Sequence, residues 1–186
     1  MESVANRFRA VLTGQKPADR LPIMEWASWW NLTIERWQTE GLAKDLDSSG
    51  IKQHFGLDVD LQHWFNVWKQ GTPEPTYGDH WIESEDDYEH VRKWLYPDPI
   101  RFDPNQIQSW SKSQESGEAV VWTTFQGFFW FPRTLFGIEE HFYAFYDHPG
   151  LMRRINDDLA SFHVRCIESF TRYCKPVFAT FAEDMS

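Results

Sequence analysis

The chain has 186 residues, 41% hydrophobic and 25% charged, which is enough for one ordinary folded domain with a sizeable core and excludes a disordered chain. Twenty-eight acidic against eighteen basic residues leave a formal charge of −10, which repels phosphate backbones and anionic lipid, so nucleic acid is excluded as an expected partner. The opening MESVANRFRAVLTGQKPADR has no apolar signal core and no long apolar run follows it, so a cytoplasmic protein without a membrane span is expected. Eleven Trp, fifteen Phe and six Tyr make 17% of the chain, material for a large core or for a pocket that takes a flat ligand. Cys166 and Cys174 lack any CxxC spacing and are expected as free thiols.

In chain order, Val4, Phe8, Val11 and Leu12 fall at helical spacing and the pattern ends at Gly14, predicting a short amphipathic helix. The apolar run Leu21–Trp26 predicts a buried parallel strand, and NLTIERWQTE, ending at Gly41, predicts the helix after it. Ser48 or Ser49 is the expected cap of a turn through Phe55, and Leu57 to Phe65 reads as the second strand. Trp68 and Trp81-Ile82, on either side of the turn-rich GTPEPTYGD, predict a small hairpin. Ser84-Glu85-Asp86-Asp87 resembles a capping box opening a helix to Leu95, and Asp103-Pro104 starts a helix that ends near Gly117. Ala119 to Phe125, β-branched and aromatic, is the clearest strand. Helices are predicted over 128–136, 138–146 and 149–173, and Val177 to Phe181 as a fourth strand. Strands alternating with helices imply parallel pairing, right-handed crossovers and an α/β class within a single domain spanning 1–186.

Three stretches carry a family resemblance: NRFRAVLTGQKPADRLPIM at the start, Gly127 to Leu151 with LFGIEE and YDHPGLM, and the closing AEDMS. On these the chain resembles the uroporphyrinogen decarboxylase superfamily. The resemblance implies a (β/α)8 TIM barrel of which about the first four βα units are present, an N-terminal portion whose exposed strand edges favour homo-oligomers. Decarboxylases of that family carry Arg-Gln-Ala-Gly-Arg-Tyr after strand one, where the two arginines grip substrate carboxylates. Here the matching stretch is Glu25-Trp26-Ala27-Ser28-Trp29-Trp30, so Glu25 and Trp29 stand in place of cations. The aspartate that decarboxylases place at the end of strand two falls on Phe65, beside Asn66. The superfamily's other branch holds corrinoid-linked methyltransferases and demethylases, which present a small-molecule substrate to a corrinoid on a partner protein. Their zinc ligands lie mainly in the second half of the barrel. The resemblance therefore implies a parent that handles corrinoid-linked methyl transfer or demethylation. The alternatives are a uroporphyrinogen decarboxylase and a non-catalytic half barrel.

Chemistry in such barrels gathers at the carboxyl ends of the strands. That singles out Glu183 and Asp184 after the last strand, as general base, as hydrogen-bonding partner of substrate or cobamide, or as metal support; the alternative is a pair of solvated acids or a helix cap. Glu25, in an apolar strand end, is a third pocket acid or half of a salt bridge. His63 is a ligand or proton donor, or a core histidine. Gln126 and Arg133 flank an aromatic cluster, where Arg133 neutralises an anionic group or caps helix carbonyls. Trp29, Trp30, Phe129 and Trp130 form a flat wall for substrate, or core. His163 and Cys166 share a helix face at a spacing that can chelate zinc but lack two further ligands.

Overall fold

A computed structural model of the chain describes residues 2–73 and 80–183. Its elements are α1 Val4–Leu12, α2 Asn31–Thr39, α3 Ser48–His54, β1 Val59–Trp64, α4 Glu85–Arg92, α5 Pro104–Glu115, β2 Ala119–Gln126, α6 Trp130–Phe136, α7 Ile138–Asp147, α8 Pro149–Phe170 and β3 Phe178–Ala182. The strands form a parallel sheet in the order β1-β2-β3, which makes the chain α/β as its alternating pattern requires. β2 is buried along its length except at Gln126, which explains why it reads as a continuous apolar and β-branched run. Two compact units divide the chain: Met1–Gln62 with Asn105–Trp122 and Cys174–Phe178, and His63–Pro104 with Thr123–Tyr173 and Ala179–Ser186.

In the first unit Ser3 caps α1 by accepting the Asn6 N–H, and the helix turns Val4 and Phe8 onto Val120, with Met24, Val177 and Phe178 packed around them. Phe178 stacks between Phe8 at 5.7 Å and Trp122 at 5.3 Å. Two buried carboxylates of this unit, Asp58 and Asp60, are each held by cations. Arg7 donates to Asp58 at 2.6 Å and to Asp19 at 2.9 Å, and Arg20 forks onto both oxygens of Asp58. The Lys52 ammonium pairs with Asp60, which also accepts from the Trp122 indole at 3.2 Å.

Leu21–Trp26, expected as the first strand, is not one. Pro22 has no N–H to donate to a ladder. The Ile23 N–H, which a neighbouring strand's carbonyl would receive, goes instead to the Asp58 carboxylate at 2.9 Å, while the Asp58 N–H reaches the Ile23 carbonyl at 2.7 Å. Leu21, Ile23 and Trp26 are left more than half exposed. The sheet has three described strands where four were predicted. Asp47, rather than Ser48 or Ser49, caps α3 by accepting from Gly50.

In the second unit α8 buries a stripe from Leu151 through Ile155, Leu159, Phe162 and Cys166 to Phe170, the helical periodicity expected of it. Ser84 caps α4 as its sequence indicates, accepting from the Asp87 N–H. The predicted hairpin is absent from the described residues, and its turn, residues 74–79, lies outside them. Trp68 pairs instead in an antiparallel bridge with Leu95, and the N–H groups of Trp81 and Ile82 both go to the Leu135 carbonyl. The Trp68 and Trp81 rings meet tilted, 5.4 Å apart, without a ladder between them.

Candidate functional site

At the carboxyl ends of β2 and β3, within the second unit, the chain makes a close turn. β2 ends at Gln126 and β3 at Ala182, and the Gly127 N–H extends the pairing by donating to the Ala182 carbonyl at 3.1 Å. Glu183 then turns its carboxylate over Gly127 onto the start of α6, accepting from the N–H groups of Phe129 at 3.0 Å and Trp130 at 2.9 Å. These are the unpaired donors of a helix start, where a carboxylate is favoured by both hydrogen bonding and the helix dipole. The approach requires a glycine: a Cβ at Gly127 would lie 2.0 Å from the Glu183 carboxyl carbon. One turn on, the Arg133 guanidinium stacks over the Trp130 ring at 4.3 Å.

Against this corner packs His141 of α7. Its ring is fully buried among Phe129, Phe142 and Phe145, and neither ring nitrogen has a partner among the described residues. Burial lowers its pKa, the Arg133 charge lowers it further, and Glu183 opposes them. The imidazole is thus disfavoured from taking up a proton, by burial first and by the Arg133 charge second. Gln126, at the strand end, has a buried side-chain oxygen that is also unpartnered among the described residues.

Of the residues singled out in the sequence, Glu183, Gln126, Trp130 and Arg133 meet at this corner. Glu183 is fixed by capping α6, the helix that precedes it in the chain. Asp184 lies outside the described residues. His63 belongs to the same unit, its ring 4.5 Å from Phe65 and stacked at 5.6 Å on Phe170, with burial lowering its pKa and a hydrogen bond to the Arg101 backbone opposing the shift. Glu25 and Trp29 belong to the first unit, where they share a hollow of about 330 Å³ with Ile23, Met24, Trp37 and Phe55. Trp29, Trp37 and Phe55 pack edge to face there, and the Glu25 carboxylate accepts from the Ala27 N–H at 3.1 Å.

His163 and Cys166 lie on the buried face of α8; the histidine sits 4.8 Å from the Phe125 ring, and burial pushes the Cys166 thiol up to about 12. Among the described residues no group of three or more His, Cys, Asp and Glu side chains is placed to hold a metal ion, and no helix is long and apolar enough to cross a membrane. Sequence reasoning passed over His141 and Gly127. The signal for His141 was its place three residues before Ala144 in a helix rich in aromatic side chains, where a histidine takes a position on the helix's buried face.

The buried histidines set an acid limit on stability. His163 falls from 6.5 to about 4 through burial, and His63 and His141 shift the same way. Above pH 6.5 both folded and unfolded forms are neutral and the stabilisation is complete. As pH falls toward the folded value the unfolded chain takes up the proton first, so stability is lost, by about 1.4 kcal/mol per pH unit for one such group. Urea midpoints at pH 7.5 and 5.5 are expected to differ accordingly, with a smaller difference in His163→Leu; an unchanged difference in that variant would mean that His163 is charged when folded.

No family model, no curated protein and no solved structure matches this chain.

Proposed function

We propose that the chain is the N-terminal part of a uroporphyrinogen-decarboxylase-like TIM barrel whose parent serves corrinoid-linked methyl transfer or demethylation of a small molecule. The observation that carries this reading is the hollow around Glu25 and Trp29. Its lining is one carboxylate among apolar and aromatic side chains, with no Arg or Lys, at the stretch where the decarboxylases of the family it resembles carry two arginines. A carboxylate there repels a substrate bearing eight carboxylates, whereas a neutral or cationic methylated molecule meets no such penalty. The parallel sheet gives the α/β class, within which the barrel is part of this proposal.

In this reading Glu25 and Trp29 contact substrate in the first unit; in the second unit Trp130 and Arg133 offer a flat, positively charged surface, and Glu183 holds the start of their helix in place. His63 shapes the core beneath. A partner protein supplies the corrinoid, and the family that the chain resembles places its zinc ligands mainly in the second half of the barrel. The test is sedimentation of the purified chain with hydroxocobalamin or coproporphyrin, following pigment absorbance with the protein boundary. Co-migration of cobalamin alone is the expected result. Co-migration of porphyrin would overturn the reading in favour of a decarboxylase, and migration of neither would leave a half barrel that binds no tetrapyrrole.

A further inference from the structure

A second cavity, of about 250 Å³, opens in the second unit beside the carboxyl end of β1. Its inner part is apolar, contributed by Phe65 and Phe162, which are almost wholly buried. Its rim holds Trp64, Asn66, Lys69 and Arg101. In a chain with a net charge of −10, this lining contains two cations and no carboxylate. Neither cation is spent on an acid among the described residues: the Lys69 ammonium donates to the Lys93 carbonyl at 2.8 Å, and Arg101 donates to the Gln70 amide oxygen at 3.1 Å. Trp64 is 45% exposed, and no aromatic ring among the described residues packs on it.

The walls are fixed before any ligand arrives. The segment after β1 is laced to the segment around residue 95 by the Trp68–Leu95 bridge, by the Lys69 N–H to the Trp94 carbonyl at 2.8 Å and by the Tyr96 N–H to the Val67 carbonyl at 2.8 Å. Tyr96 is held at φ 57, a left-handed conformation that a residue with a bulky side chain adopts only where its surroundings force it, and it directly precedes Pro97 in the cavity wall. Fixed walls, open cations and an unstacked indole together describe a recognition site.

We propose that this cavity binds a small aromatic carboxylate, with its ring against Trp64 and its charge neutralised by Lys69 and Arg101. A cavity of about 250 Å³ suits a small ligand, below the range of about 300–1,000 Å³ of drug-sized sites. Stacking on an indole favours a planar ring, and a planar guanidinium favours a carboxylate. This site does not depend on the methyl-transfer reading, which rests on the hollow around Glu25.

The test uses 1-naphthoate and its neutral amide, 1-naphthamide, in equilibrium dialysis against the 186-residue chain at low ionic strength. Naphthoate is expected to bind at least about tenfold more tightly than the amide. Arg101→Gln is expected to reduce that preference severalfold, with Lys69 retaining the remainder, and Trp64→Leu to weaken binding of both. Arg101 is exposed, so its variant is expected to melt with the parent chain, which separates loss of binding from loss of fold. Equal affinity for acid and amide, an unchanged preference in Arg101→Gln, or no binding of either at millimolar concentration would overturn the proposal. Cobalamin sedimentation, failing or succeeding, leaves this result untouched.

Discussion

Replacing Asp58 by asparagine is expected to cost about 3–5 kcal/mol of folding stability, most of the margin of an ordinary domain. Asp58 is almost completely buried and its two oxygens accept from Arg7, from both terminal nitrogens of Arg20 and from the Ile23 N–H. The asparagine removes the charge but keeps the volume, so the loss reads the electrostatic role rather than a cavity. Arg7, with its side chain 4% exposed, retains Asp19, whose carboxylate it already holds well below the usual range. Arg20, at 41%, can turn to solvent, so Arg20→Gln is expected to cost about 1 kcal/mol or less. Urea unfolding of the two variants checks the ordering. A cost for Asp58→Asn no greater than that for Arg20→Gln would mean that the ion pairs of Asp58 do not hold the segment through Ile23 in place.

That segment also shows where local sequence reading stops. Helices α1, α4 and α8 were legible from a 3.6-residue apolar period with a terminal signal, α5 from Asp103-Pro104 at its start, and β2 because it is β-branched and buried on both sides. Leu21–Trp26 has the composition of a buried strand, yet whether a ladder forms depends on what lies beside it. Here the neighbour is a carboxylate 35 residues away from Ile23 in sequence, which takes the N–H that a strand would have taken. No periodicity within the segment encodes that. Likewise Trp68 and Trp81 are close, as a hairpin would have made them, but their backbone partners Leu95 and Leu135 come from distant parts of the chain.

Glu183 divides in the same way. Its position, directly after a buried strand, was legible; that its carboxylate is occupied by the start of α6 was not, because the partners lie 54 and 53 residues earlier. The glycine that permits this contact looked like an ordinary turn residue. Gly127→Ala is therefore expected to displace Glu183, since the new methyl would overlap its carboxyl group. Two charge-assisted hydrogen bonds are lost, each worth about 1.5–3 kcal/mol, so the expected cost is about 3 kcal/mol or more. Glu183→Ala removes the same bonds and is expected to cost a similar amount. The double variant is then expected to be no less stable than either single one, because the alanine at 127 has nothing left to displace, giving a coupling of about 3 kcal/mol in a double-mutant cycle. Additive costs would show that Gly127 serves the backbone of the turn and not the carboxylate. Deletion of Glu183 is also expected to remove the one anion opposing the shift of His141, so its imidazole is expected to titrate at still lower pH by NMR.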